Sequence, residues 1–194
     1  MKSMNHSRTL ALVTLCLFAG TASAHTGNHN ASGFVGGLTH PLTGLDHLLA
    51  MIAIGLWAAQ QGGRALWAVP ATFVTVMVLG GLLALSGWGL PQVETGIALS
   101  VLVLGLLISF QCNWPVTAGM AIAAVFALFH GYAHGLKMPQ TASPLLFAGG
   151  FVLATGLLHG VGIISGRLGR GWVRAAGVLI AATGFALTGF SLIA

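Results

Sequence analysis

Histidine and acidic side chains occur inside, or at the ends of, long apolar segments of this chain, where ionisable residues are rare. They are His40, Asp46, His47, Glu94, His130 and His134. Because a charged group in a bilayer is costly unless it is paired or hydrated, each is a candidate functional residue. Imidazole and carboxylate ligands without thiolates favour a borderline divalent metal, which leaves nickel, cobalt, zinc and copper(II) open. We therefore predict a metal site built from these side chains.

The spacing of these residues indicates how they could share an ion. His40 and His47 are seven residues apart, so a continuous helix would place them on one face, ~10 Å apart along its axis. Asp46 lies beside His47 and could ligate the metal or hold the imidazole in one tautomer. His130 and His134 are four residues apart, which stacks them on one helical face where both could grip one ion.

Three further histidines are candidates with a competing structural interpretation. His159 lies well inside another apolar segment; it is either an inner step of a metal pathway or a group that hydrogen-bonds one helix to another. His25 and His29 lie near the N-terminus. They would form either a metal-collecting tip or a flexible polar tail.

Composition identifies the class of protein to which these residues belong. The chain is 56% hydrophobic and 5% charged, whereas an average soluble domain has about 25% charged residues. Its only acids are Asp46 and Glu94, so we predict an all-α integral membrane protein. The seven Lys and Arg residues are scattered through short loops, which argues against nucleic-acid binding. Two cysteines cannot form a disulfide framework, and no nucleotide-binding glycine motif is present.

The N-terminus has the pattern of a cleaved secretory signal peptide. Lys2 and Arg8 precede an apolar stretch at 10–20, which is too short to span a bilayer, and an A-x-A site ends at Ala24. We predict a signal peptide at 1–24, a short periplasmic tail at 25–37 and a transmembrane domain of about six helices at 38–194. The predicted spans are 38–60, 65–86, 92–110, 115–136, 143–165 and 172–193.

Basic residues predict how these spans are oriented. The loops after the first, third and fifth spans, taken together with the adjoining helix end, hold Arg64, Arg167, Arg170 and Arg174, whereas the opposite loops hold only Lys137. This bias predicts a multi-pass protein of the bacterial inner membrane with both mature termini in the periplasm. In this orientation three helices bring four imidazoles and two carboxylates to the periplasmic side, and His159 lies deeper.

Small and aromatic residues predict how the helices pack and end. Several glycines suit close contact between helices: Gly80, Gly81, Gly149, Gly150, Gly177 and Gly184. The tryptophans fall near span ends and are predicted to be interfacial anchors: Trp57, Trp67, Trp88, Trp114 and Trp172.

Two motifs resemble the HupE/UreJ family of nickel permeases, which is associated with hydrogenase and urease maturation. They are His40-Pro41-x-x-Gly44-x-Asp46-His47-x-x-Ala50-Met51-x-x-x-Gly55-x-Trp57-Ala58 and Phe129-His130-Gly131-x-x-His134-Gly135. The resemblance implies uptake of Ni²⁺ or Co²⁺ as a transported substrate, with no permanently bound cofactor and no enzymatic activity. The resemblance also assigns metal binding to His40, Asp46, His47, Glu94, His130 and His134. The partners it implies are metalloenzyme maturation proteins or a second copy of the chain. Lys137 departs from the family pattern, which usually has an acidic residue there.

Other functions are compatible with parts of this pattern. A non-transporting metal sensor or metallocentre-assembly factor could keep the same ligands. A haem-binding redox protein would need histidines on facing helices at matching depth, which His130 and His134 on one helix do not provide. An intramembrane protease has only the Ser86-Gly87 pair in its favour.

Overall fold

The computed structural model of this chain describes residues 33–138 and 143–193. These residues form helices joined by short turns, and no strand occurs among them. The α-helices are α1 (Phe34–Thr39), α2 (Leu45–Gln61), α3 (Ala65–Leu85), α4 (Val93–Ser109), α5 (Val116–Leu136), α6 (Pro144–Ser165) and α7 (Arg170–Ile193). Short 3₁₀ turns follow α1 at His40–Leu42 and α6 at Gly166–Leu168. The predicted signal peptide lies outside the described residues, and so does the predicted periplasmic tail up to residue 32. Residues 34–37 of that predicted tail instead belong to helix α1.

Helices long and apolar enough to cross a membrane account for most of the described chain. Four helical segments qualify by length and composition: Ala65–Leu85, Val116–Leu136, Pro144–Leu168 and Arg170–Ile193. The bent pair Phe34–Leu42 and Leu45–Gln61 makes a fifth candidate, and Val93–Ser109 is apolar but shorter. Large side chains on the outer helices, such as Leu145 and Phe185, are exposed. An apolar exterior of this kind is typical of a protein surrounded by lipid.

Helix α2 lies at the centre of the bundle. It contacts α3, α4, α5, α6 and α7, and residues 53–58 are all buried. A helix that is apolar on every side is expected to be surrounded by other helices. Around it α3 packs along α5 and α4 packs along α7, while α6 packs on both α1 and α2. The central helix therefore brings its first turn, which holds Asp46 and His47, against several partners.

Glycines allow the helices that carry the histidines to approach closely. A Cβ at Gly131 would collide with the backbone carbonyl of Met77, so α5 and α3 touch backbone to backbone. A Cβ at Gly55 would collide with the carbonyl of His159, which brings α2 against α6. The predicted role of small residues is confirmed at Gly80, which packs on the backbone of α5. These contacts hold the histidine-bearing faces within side-chain reach of each other.

The first predicted span is not a continuous helix. The segments Phe34–Leu42 and Leu45–Gln61 meet at an angle of 84°, because Gly44 adopts an extended conformation (φ −104°, ψ 121°) before α2 begins. The predicted two-turn relation between His40 and His47 on one helical face is therefore wrong. One predicted interfacial anchor is also wrong, because Trp57 is 0% exposed. Trp67, Trp88, Trp114 and Trp172 are exposed.

Candidate metal site

Four imidazole rings from three parts of the chain form a continuous file at one end of the bundle. The ring of His40 lies 4.8 Å from that of His134, measured between centroids. His134 lies 4.2 Å from His47, and His47 lies 4.7 Å from His130. His40 and His47 thus meet the same partner on α5, although the chain bends sharply between them. His40 and His47 therefore do not share one face of a continuous helix, as predicted, but the bend still brings the four histidines together.

Asp46 orients the imidazole of His47. Its Oδ1 lies 2.9 Å from Nδ1 of His47 and also accepts a hydrogen bond from the backbone N–H of His47 at 2.8 Å. A carboxylate in this position is best satisfied when Nδ1 carries the proton, which leaves the lone pair on Nε2. That Nε2 is buried and has no hydrogen-bond partner among the described residues. The pair therefore leaves Nε2 of His47 as the nitrogen available to a ligand.

Ser100 on α4 performs the corresponding role for His130. The serine hydroxyl donates to the carbonyl of Ile97 at 2.6 Å, and its oxygen lies 2.8 Å from Nε2 of His130. Since the hydroxyl proton is already used, Nε2–H of His130 donates to the serine, and the lone pair lies on Nδ1. That Nδ1 is buried without a partner in the described part of the chain. Sequence analysis missed Ser100; its only signal was a hydroxyl in an apolar span.

His134 occupies the middle of the file. Its ring packs against Phe151 at 4.0 Å, and the residue is 6% exposed. Neither of its nitrogens has a hydrogen-bond partner among residues 33–138 and 143–193. Buried imidazoles nearly always have such partners, because an unsatisfied polar group costs about 1–3 kcal/mol. His40, at one end of the file, is only partly buried.

Phe73 on α3 separates the file from the fifth intramembrane histidine. Its ring lies 5.7 Å from that of His130 and 5.4 Å from that of His159. Phe73 is 0% exposed and His159 is 2% exposed. Both nitrogens of His159 lack partners within the described residues, so no helix-to-helix hydrogen bond explains this histidine there. Nothing in the sequence pointed to Phe73, because a phenylalanine in an apolar span is unremarkable until its neighbours are known.

Glu94 does not join the histidine file. Its carboxylate lies 3.3 Å from Nζ of Lys137, and both side chains are more than half exposed. The two residues lie at the start of α4 and directly after α5. The departure from the family pattern at Lys137 therefore has a structural counterpart, since this lysine contacts the second of the two carboxylates in the chain.

The file is not a closed metal cage. Within the described ranges, 33–138 and 143–193, no group of three or more His, Cys, Asp or Glu side chains is arranged to hold a metal ion. Neighbouring imidazole rings instead contact each other in succession. The predicted metal-collecting residues His25 and His29 lie outside the described residues.

Comparisons with known proteins agree with the motifs that carry this site. The family model described as HupE / UreJ protein matches residues 13–187. Protein HupE of Rhizobium leguminosarum bv. viciae is 42% identical over 189 residues, which cover 95% of this chain and 98% of that protein. No solved structure matches the chain.

Proposed function

Because this chain belongs to the HupE/UreJ family, we propose that it is a permease that carries Ni²⁺ or Co²⁺ across the bacterial inner membrane. The imported metal would supply the maturation of metalloenzymes. One observation carries the proposal: four imidazoles from three helical segments form a file, and its three buried members, His47, His130 and His134, have nitrogens without a hydrogen-bond partner among the described residues. Neutral imidazole nitrogens are good ligands for both metals.

The form of the file favours passage over storage. An ion that conducts must bind well enough to leave water and weakly enough to move on, which several adjacent weak sites allow. In our proposal the ion first meets His40 and then exchanges between His134, His47 and His130. Asp46 supplies the negative charge that a divalent cation needs in a low-dielectric interior.

The inner step of the proposed pathway passes Phe73. Its ring fills the space between His130 and His159, and an apolar ring cannot ligate the ion. We propose that a change of the Phe73 rotamer admits the metal to His159, whose nitrogens have no partner among the described residues and one of which would then ligate the ion. The proposed direction rests on the distribution of the arginines, which supports a periplasmic histidine end and a cytoplasmic opposite end.

A non-transporting metal sensor or assembly factor is the second candidate function. It is favoured by the burial of the file, since His47 and His134 are each 6% exposed and His130 is 0% exposed. A buried site of this kind could retain an ion as well as pass it. Binding of the metal alone therefore does not distinguish the two functions.

Metal uptake tests the permease directly. Expression in a nickel-uptake mutant should raise cell-associated nickel or cobalt at sub-micromolar supply, compared with the same strain carrying an empty vector. Proteoliposomes with the purified protein should then accumulate the metal in their lumen. Unchanged accumulation of both metals, with the protein confirmed in the membrane, would rule out transport. Saturable binding in detergent without flux would favour the sensor.

A further inference from the structure

A polar cavity lies at the end of the bundle opposite the histidine file. It has a volume of about 270 Å³ and is lined by the end of α2, the turns after α4 and α6 and the start of α7. Its polar side chains are Gln60, Gln111, Asn113, Arg167 and Arg170. His47 and Gln60 lie at opposite ends of α2, so by the helical rise the two sites are ~20 Å apart. The metal pathway proposed above makes no use of this cavity's side chains.

The positive charge of this cavity is not balanced by an acidic side chain of the protein. Two guanidinium groups line it, and no carboxylate does. The only acids in the sequence are Asp46 and Glu94, and these contact His47 and Lys137 at the other end of the bundle. A negative group that balances Arg167 and Arg170 must therefore come from outside the chain.

Gln60 supplies an independent sign of a ligand. Its amide nitrogen and oxygen are both buried, and neither has a hydrogen-bond partner among the described residues. The neighbouring Gln61, by contrast, donates through Nε2 to the carbonyl of Cys112 at 2.7 Å. Buried side-chain amides without partners are uncommon. Both amide atoms are closed off from the cavity in this structure, so a bound group would complete their hydrogen bonding after the Gln60 side chain turns into the cavity.

The backbone around the cavity is held in a defined shape. Gln111 has a left-handed conformation with φ of 52°, which costs free energy in a residue other than glycine. Its side-chain Nε2 donates to the carbonyl of Arg170 at 3.4 Å. The bond from Gln61 to Cys112 ties the same turn to α2. Three elements are thus fixed around one cationic cavity.

We propose that this cavity binds a phosphate group. Guanidinium groups pair with phosphate through parallel N–H···O bonds, and side-chain amides can donate to the remaining oxygens. The volume is below the ~300–1,000 Å³ of sites for drug-sized ligands, which suits a headgroup or a free anion. Because the cavity lies at the end of membrane-spanning helices, the phosphate of an anionic lipid is the expected source, and inorganic phosphate is the other.

Binding measurements on the full-length protein in phosphate-free detergent micelles test this site. Phosphatidylglycerol should raise the unfolding temperature more than phosphatidylcholine does. Replacing both Arg167 and Arg170 by Gln should weaken phosphatidylglycerol binding by about tenfold or more. The matched control replaces Arg64 and Arg174 by Gln, which removes the same charge from residues that do not line the cavity. That control should bind as the wild type does.

The remaining outcomes separate the two sources and the opposing explanation. A rise in unfolding temperature with inorganic phosphate, lost in the variant of Arg167 and Arg170 alone, would identify a free-anion site. Gln60→Glu keeps the size of the side chain and opposes a phosphate with a carboxylate, so it should also abolish binding. Equal weakening in both double variants would overturn the proposal, because the arginines would then act only through the general charge of the membrane surface. So would a wild-type protein that responds to neither phosphatidylglycerol nor phosphate.

Discussion

The two acidic residues of this chain occupy equivalent positions and have opposite surroundings. Asp46 lies in the first turn of α2, and Glu94 lies in the first turn of α4. The Asp46 side chain is 26% exposed and contacts an imidazole, whereas the Glu94 side chain is 63% exposed and contacts an ammonium group. Both carboxylates suit a helix N-terminus, where the backbone N–H groups favour negative charge. Helix position therefore does not distinguish them, but their partners do.

The partners give the two carboxylates different capacities. Asp46 orients an imidazole that keeps a free nitrogen, and in the Nδ1–H tautomer of His47 the pair carries one negative charge for a cation. Glu94 faces a lysine that already balances its charge, and water and salt screen both groups. Exposed ion pairs of this kind contribute only ~0–1 kcal/mol. We infer that Asp46 is essential to the proposed pathway and that Glu94 only tunes access to it.

The largest expected effect tests this difference directly. Asp46→Asn keeps the size of the side chain but removes its charge and its preference for the Nδ1–H tautomer of His47. Nickel uptake should fall by about 10–100-fold, as is typical when the partner of a metal-binding histidine is lost. Glu94→Gln is the matched control and should lower uptake by less than about threefold. Equal losses of nickel uptake in the two variants, at equal expression, would show that the different surroundings of Asp46 and Glu94 have no effect on transport.

Acidification should lower metal uptake through the imidazoles near Asp46, and the Glu94–Lys137 pair should not contribute to this effect. An imidazole must be neutral to ligate a metal, because protonation removes the lone pair. Uptake should therefore fall as external pH drops from about 7.5 to 5.5. The same profile should persist when Glu94 and Lys137 are both replaced by Gln. A rise in uptake on acidification would instead indicate import driven by protons.

Loss of the second orienting group should have an intermediate effect. Ser100→Ala removes the neutral hydrogen bond that holds the tautomer of His130, a contact weaker than one made by a carboxylate. We expect uptake to fall by about fivefold. Ser109→Ala is the control, because this serine lies on the same helix, is largely buried, and bonds only the carbonyl of Leu106. Similar losses in both serine variants would point to helix packing as the cause.

The smallest effect is expected at Lys137. Lys137→Glu frees Glu94 from its partner and adds a second negative charge near the outer end of α5. At low ionic strength the KM for metal should fall by about threefold, while Vmax changes little, and added salt should reduce the difference. Lys137→Gln should lie between the wild type and this variant. Identical KM values for all three proteins at low salt would leave Lys137 as an outer-loop charge without a role.

The sequence predicted the helices well because hydropathy is a local property. Each of the six predicted spans corresponds to a helix or a bent pair of helices within the described residues. The bend at Gly44 was missed, since an isolated glycine in an apolar run is compatible with a continuous helix. The interfacial role predicted for Trp57 was wrong because hydropathy does not record that Gly119 makes room for its ring. The position of a residue along a predicted span therefore did not reveal whether its side chain is buried inside the bundle.

The histidine candidates could be selected from the sequence because ionisable residues in apolar segments are rare and costly. Their order in the file could not, since it depends on which rings meet across α2, α5 and the turn after α1. Ser100 and Phe73 were missed for the same reason, because a serine and a phenylalanine gain significance only from the imidazoles beside them. The pairing of Glu94 with Lys137 joins residues 43 positions apart.

The sequence by itself determined that this is an all-helical membrane protein of the HupE/UreJ family with an unusual set of intramembrane histidines. Composition, hydropathy and short motifs suffice for that, because each depends on residues close together in the chain. Only the tertiary structure decided which nitrogen of His47 and of His130 is free, and that Phe73 stands before His159. It also decided that one carboxylate serves the file while the other pairs with a lysine. These properties arise from contacts between distant segments, and close packing of helices at glycines brings those segments together.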